Sequence, residues 1–215
     1  LFHPDSHWRD LLAFTWHIST VSGPDDISTA LADSADDLKP QSFSIDYDAA
    51  PPRMVIRGGR QDVLETIFRF TTKTGQCSGV LRMIADEADA GRLKAWTILT
   101  ALDEISGFEE SIGTARPTGE AYSRDFKGPN WLDRRNIAIA YEDRDPEVLV
   151  VGGGQAGLSI AARLTQLGVD TLIVDREERV GDNWRKRYHA LVLHNQVHVN
   201  HLPYMPFPPN WPIYI

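Results

Sequence analysis

Hydrophobic and polar positions change rhythm several times along the chain. Trp8, Leu11, Leu12 and the stretch from Phe14 to Ile18 fall at helical spacing and predict a helix with one apolar face. Gly23-Pro24-Asp25-Asp26 is a turn that can cap a second helix running through Ala30 and Leu31. Past the polar Lys39-Pro40 the rhythm becomes strand-like, with strict alternation over Phe43-Ser44-Ile45-Asp46-Tyr47. Residues 62–68 read as a short amphipathic segment. Residues 69–75 lead through a Gly-Gln turn into the run 77–84, and an acidic loop (86–91) joins it to the run 93–100. Those last three runs predict an antiparallel meander.

Helices first and a meander afterwards imply an α+β cone over residues 1–110, a curved sheet wrapped on helices. In this order of elements the segment resembles the nuclear-transport-factor-like and ketosteroid-isomerase-like group. Such cones can hold an apolar pocket, and Asp46, Asp103 and Glu104 are its candidate carboxylates. The plainer reading is acids facing solvent at strand edges and at a helix start, so no catalytic residue is assigned in this half. Trp96, Ile98 and Leu102 are candidates for an apolar face buried against a second copy, which implies a homodimer. Residues 111–146 read as a linker, interrupted by Pro117, Gly119, Gly128-Pro129 and the charged stretch 142–146. Within it Trp131-Leu132-Asp133-Arg134-Arg135 is expected to dock against one of the domains, with the arginine pair a solvated surface.

Residues 147–175 are the most informative stretch. The apolar run Val148-Leu149-Val150-Val151 breaks into Gly152-Gly153-Gly154-Gln155-Ala156-Gly157. A helical segment follows, closed by Gly168, and a second apolar run from Thr171 to Val174 ends in Asp175. Strand, glycine turn, helix, strand and acid stand in the order of a dinucleotide-binding βαβ unit. Gly152 permits the tight turn, Gly154 lets backbone approach a pyrophosphate, and Gly157, with small Ala161, lets the helix lie close on the sheet. The helix start offers unpaired N–H groups and the positive end of its dipole to phosphate. Asp175 can accept bonds from both ribose hydroxyls, which suits NAD or FAD and argues against a 2′-phosphate here.

Composition narrows the partners. A net charge of −8 leaves no basic surface for nucleic acid or anionic lipid. A single cysteine, Cys77, excludes a disulfide framework and a cysteine metal cluster and fits a reducing, cytoplasmic compartment. No apolar run approaches the ~20 residues of a membrane span. His194, His198 and His201 are spaced as a metal-binding helix face would be, but prolines 203, 206, 208 and 209 break such a helix and no cysteine or carboxylate joins them. No metal site is assigned.

Past Asp175 the chain reads Arg176-Glu-Glu-Arg-Val-Gly181-Asp182-Asn-Trp184, then Leu193-His194 and Leu202-Pro-Tyr-Met-Pro-Phe-Pro208. With the glycine turn and the ribose acid, these segments are similar to the flavin-containing monooxygenases, in particular the single-chain NADPH-dependent type that includes the indole-pyruvate monooxygenases. The likeness covers residues 147–212. Many relatives have two glycines before the tryptophan, and Asp182 stands in the second place. The resemblance implies FAD at this site, with Gly152, Gly154, Gln155, Ala156 and Gly157 at the pyrophosphate and Asp175, followed by Arg176, at the adenosine ribose. It places Trp184 and Arg187 near the pyrophosphate and flavin, and His194, Asn195 and Gln196 toward the flavin's reactive face. It further implies reduction of FAD by NADPH, a flavin C4a-peroxide formed with O2, and insertion of one oxygen atom into a small organic substrate.

A second glycine fingerprint, which NADPH would require, is absent from the sequence. Residues 147–215 are therefore expected to be the front part of an incomplete Rossmann-type FAD-binding domain, and the 215-residue chain alone is expected to be inactive. The competing expectation is a non-enzymatic cone-fold association module with a vestigial nucleotide-binding tail.

Overall fold

The computed structural model describes residues 1–117 and 127–215, in two compact units, Leu1–Glu109 and Glu110–Ile215. Gly119 of the expected linker lies outside the described residues.

The first unit is one seven-stranded sheet with a single α-helix. Its elements are β1 (Phe2–Leu11), β2 (Ile18–Ser22), α1 (Pro24–Leu38), β3 (Gln41–Ile45), β4 (Arg53–Arg57), β5 (Arg60–Thr71), β6 (Gly75–Asp86) and β7 (Arg92–Ile105). The strands lie in the order β2-β1-β7-β6-β5-β3, and β4 also pairs with β5. The meander expected from the sequence is present as antiparallel β5, β6 and β7. The acidic connection between β6 and β7 holds a short 3-10 turn, Glu87–Asp89, and a left-handed Ala90.

The first helix expected from the sequence is instead β1 and β2. Along β1 the buried residues are Ser6, Trp8 and Asp10, and the intervening His7 and Arg9 are exposed. That is a period of two, and the apolar run beyond Leu11 disguised it as a helical face. The bend after β1 is built on Asp10. Its buried carboxylate accepts the backbone N–H groups of Phe14 and Thr15 and the hydroxyls of Thr15 and Thr100. Leu12 and Trp16 take positive φ in that bend, which a continuous helix would not allow. Strands therefore come first in the chain, and β1 joins the meander as a parallel neighbour of β7. Residues 62–68 are likewise interior to β5 rather than a separate amphipathic segment.

Trp8 donates its indole N–H to Thr100 at 2.9 Å, and Thr100 donates to Asp10 at 2.7 Å, so these three buried side chains satisfy one another. Beside them Ala13, Phe70 and Cys77 form a buried cluster with Phe14, Phe68 and Leu102 packed against it. Gly79 is obligatory under this cluster, because a Cβ there would lie 2.3 Å from the Phe68 ring and 2.5 Å from the Leu99 carbonyl. Among the candidate carboxylates, Asp46 is closed off by Arg69 at 2.6 Å and by the N–H of Ala49. Asp103 accepts from Ser78 at 3.0 Å.

The second unit contains α2 (Trp131–Ala140), β8 (Val148–Val151), α3 (Gln155–Gln166), β9 (Thr171–Val174) and α4 (Asp182–Arg185). β8 and β9 pair in parallel and in register from Val148↔Thr171 to Val151↔Val174, with α3 as their crossover. α2 starts with a reciprocal capping box between Asn130 and Asp133. Residues 131–135, expected to dock against one of the domains, lie on a helix whose residues are all exposed, Trp131 at 73%. What fixes this helix is the far end, where Tyr141 and Arg144 both donate to Asp170. Among the described residues no helix is long and apolar enough to cross a membrane.

Candidate nucleotide site

The turn between β8 and α3 contains glycines with different reasons to be glycine. Gly152 has φ of 109°, a conformation that disfavours any side chain. Gly157 is fixed by packing, since a Cβ there would sit 1.8 Å from the Gly152 carbonyl oxygen. Gly154 has neither constraint. Its φ and ψ are −79° and −171°, and an added Cβ would meet only the Asn183 amide at 3.5 Å. Nothing in the fold demands a glycine at 154.

Gly154 caps α3 without a side-chain hydrogen bond, so the first-turn N–H groups keep the open positive end of a 12-residue helix. Asp175 closes the other side of the turn. Its carboxylate accepts the Glu177 N–H at 2.7 Å and the Gly153 N–H, and those two bonds hold its carboxyl below the usual range. It is ionised at neutral pH and exposed at the carboxyl end of β9.

Concavities open beside the turn. A recess of about 360 Å³ at the carboxyl ends of both strands is lined by Val151, Gly152, Val174, Asp175 and Arg176. A larger cleft of about 720 Å³ is lined by Gly154, Gln155, Asn183, Trp184, His194 and Phe207, among others. Of the residues singled out in the sequence, Gly154, Gln155, Trp184 and His194 thus meet in one cleft, and Gly152, Asp175 and Arg176 share the recess. Ala156, Gly157 and Arg187 line neither. Arg187 instead lies over the Trp184 ring at 4.8 Å and donates to the Asn183 carbonyl, so it bears on the cleft through the tryptophan. Arg176 is almost wholly exposed, with Glu177 3.5 Å away.

The segment that presents Trp184 is organised by Asp182. Gly181, at φ of 86°, turns the chain into α4, and Asp182 is 3% exposed. Arg185 donates to it at 2.8 Å and Arg179 pairs with it at 3.2 Å; these partners keep its carboxyl ionised below the ordinary range. Where a glycine would leave the turn free, this aspartate clamps it. Asn183 and Trp184 consequently face the cleft. Asn183 was not singled out in the sequence, and its only signal there was its place beside the tryptophan. Glu110, which accepts from both Arg163 and Tyr204, was also missed, because 53 and 94 residues of chain separate it from its partners.

Residues 150–210 match the family model of the NAD(P)-binding Rossmann-like domain. The chain is 43% identical over 70 residues to probable indole-3-pyruvate monooxygenase YUCCA4 of Arabidopsis thaliana, covering 32% of this chain and 17% of that protein. It is 37% identical over 84 residues to indole-3-pyruvate monooxygenase YUCCA1 of Oryza sativa subsp. japonica, covering 39% and 21%. It is 44% identical over 59 residues to the uncharacterized oxidoreductase CzcO-like of Geobacillus kaustophilus, covering 27% and 17%. These matches bear out the resemblance to flavin-containing monooxygenases. The chain spans about a fifth of the length of the curated relatives it matches.

Proposed function

We propose, from the premise that residues 150–210 are a Rossmann-like segment of the flavin-monooxygenase kind, that the second unit binds the pyrophosphate and adenosine of FAD in an NADPH-dependent monooxygenase acting on a small organic substrate. The observation that carries this reading is Gly154. It lacks a side chain where neither its backbone angles nor its neighbours require that, and it borders the cleft. A Cβ there would project into the space through which phosphates approach the helix start. The matching family model is described by NAD(P). FAD is preferred because the named relatives are monooxygenases, and because Trp184, His194 and Phe207 give the cleft an aromatic body beyond the phosphate position.

In this reading the recess at Asp175 takes the adenosine, with the carboxylate on the ribose hydroxyls and Arg176 at its rim. Gly152, Gln155, Ala156 and Gly157 shape the phosphate turn, and Trp184, steadied by Arg187 and the Asp182 clamp, borders the flavin side with His194. Bound FAD would supply the redox chemistry; the chain's part is to orient it and keep water from it. The domain division that goes with this reading is a cone-like α+β unit (1–110), a linker (111–146) and a nucleotide-binding domain (147–215), in a cytoplasmic protein. The homodimer through Trp96, Ile98 and Leu102 is kept as part of the proposal, although Leu102 also packs on its own core. A dimeric mass in light scattering at micromolar concentration is expected, and a monomer would remove it.

The test of the nucleotide site is an FAD titration of the chain followed by flavin fluorescence. Saturable quenching is expected, with at least tenfold weaker binding for Gly154→Val. Equal binding by that variant would overturn the assignment.

The alternative, a non-enzymatic association module with a vestigial nucleotide tail, predicts no saturable FAD binding by either protein.

A further inference from the structure

The sheet of the first unit carries a charge imbalance that the nucleotide site does not use. Directly paired residues on neighbouring strands point to the same face. The pairings Arg53↔Glu65, Glu65↔Arg82, Arg82↔Thr97 and Thr97↔His7 therefore draw one polar row across β4, β5, β6, β7 and β1. Glu65, 4% exposed, sits among three guanidinium groups. Arg82 donates to it at 2.7 Å, Arg53 at 3.0 Å and Arg57 at 3.3 Å. Three positive charges face one negative charge, so two are left over, in a chain whose net charge is −8.

The arginines are also only partly used as donors. Arg82 commits its Nε to Glu65, and its two terminal amino groups have no acceptor among the described hydrogen bonds. Its side chain is one-third exposed, so those donors are open to solvent. Next to it along the row stands the Thr97 hydroxyl, and beyond that His7, at the ~5 Å spacing of neighbouring strands. Asp5 at that end is paired with Arg60 at 3.2 Å and lies 3.5 Å from His7, and neither of these belongs to the arginine trio. Glu65 holds the three arginines splayed with their forks fixed, which lowers the entropy lost on gripping a ligand.

We propose that Arg82, flanked by Arg53, Arg57 and Thr97 on this sheet face, is the centre of a binding site for a phosphate-type dianion, such as the phosphate group of a small metabolite. A dianion offsets the two surplus charges, and a planar arginine fork matches two of its oxygens. Glu65 is the positioning residue and does not itself touch the ligand. The site is independent of the nucleotide reading.

The experiment is a titration of the 215-residue chain with inorganic phosphate, followed by the arginine Nε–H resonances in NMR, at constant ionic strength set with chloride. Saturating shifts at Arg82, Arg53 and Arg57 are expected in the millimolar range. They should vanish in Arg82→Gln and persist in Gly154→Val, which separates this site from phosphate held at the start of the α3 helix. Linear, non-saturating shifts matched by chloride alone would overturn the proposal, as would equal saturation in Arg82→Gln. Circular dichroism of Arg82→Gln checks that the sheet is retained; if it is not, Arg82→Lys replaces it, which keeps the charge and loses the fork. At least fivefold weaker binding by that variant supports the site, and unchanged binding overturns it.

Discussion

Gly154 and Gly157 stand three positions apart in one turn, and substitution should separate what each does. Gly154→Val keeps allowed backbone angles and its Cβ meets only a side-chain amide at 3.5 Å, so stability should fall by no more than about 2 kcal/mol, the range of a lost helix N-cap, while FAD affinity falls. Gly157→Ala puts a methyl group 1.8 Å from a backbone oxygen and should cost about 1–3 kcal/mol or more through displacement of α3 from β8. Urea denaturation paired with FAD titration reads both effects, and a stable Gly157→Ala protein would show that the helix can shift freely. Glu65 supports a prediction in pH. Burial alone would raise its pKa, but the hydrogen bonds from Arg82 and Arg53 and the charges of Arg82 and Arg57 outweigh burial and hold it at about 2, from 4.5. A carboxyl whose pKa is depressed on folding contributes stability that is full above the unfolded value and is lost as pH falls toward the folded one. The first unit should therefore lose up to about 3 kcal/mol between pH 4.5 and 2, a loss that Glu65→Gln should abolish because it has no proton to gain. Matching acid-denaturation curves for the two proteins would contradict this.

At the scale of elements, legibility in the sequence followed the range of the forces involved. The βαβ unit could be read because its causes are local: a turn needing positive φ at Gly152, a helix start, and an acid closing the next strand. The meander of β5, β6 and β7 was visible for the same reason. β1 was misread because its partner β7 lies some 90 residues away, and because its inward face carries Ser6 and Asp10, which no hydrophobic pattern marks as buried. Asp10 tests that account. Four groups, the N–H of Phe14 and of Thr15 and the hydroxyls of Thr15 and Thr100, converge on its carboxylate. Asp10→Ala strands them in a buried place, at about 1–3 kcal/mol for each donor that water does not reach. A drop of at least ~3 kcal/mol in chemical denaturation is expected, together with loss of the bend joining β1 to β2. The Asp182 clamp is local, with Arg179 and Arg185 each three residues away, yet it left no pattern, because only the turn at Gly181 brings both arginines onto one carboxylate. The tri-arginine group left no sequence signal, since Arg53 and Arg57 of β4 meet Arg82 of β6 only across Glu65 of β5.

At the scale of the whole molecule, the question is whether 215 residues can turn over. A flavin monooxygenase needs a hydride donor held against the flavin, and the sequence offers one glycine fingerprint, which the proposed function assigns to FAD. Among the described residues the sheet carrying that fingerprint has two strands, β8 and β9, and the residues around it are open: Val151 is 82% exposed, Leu149 55% and Trp184 38%. A two-stranded parallel sheet with apolar positions in water is poorly ordered by its own contacts, so part of the FAD binding energy must go into ordering the chain. Affinity should therefore be modest, and an exposed cleft leaves reduced flavin open to water and free oxygen. NADPH-dependent oxygen consumption by this chain with added FAD should not exceed that of free FAD. A longer version that carries a second fingerprint should exceed it clearly, and should lose that excess with Gly154→Val. Oxygen consumption well above the free-flavin rate from the 215-residue chain would mean that NADPH is held by residues outside any glycine turn.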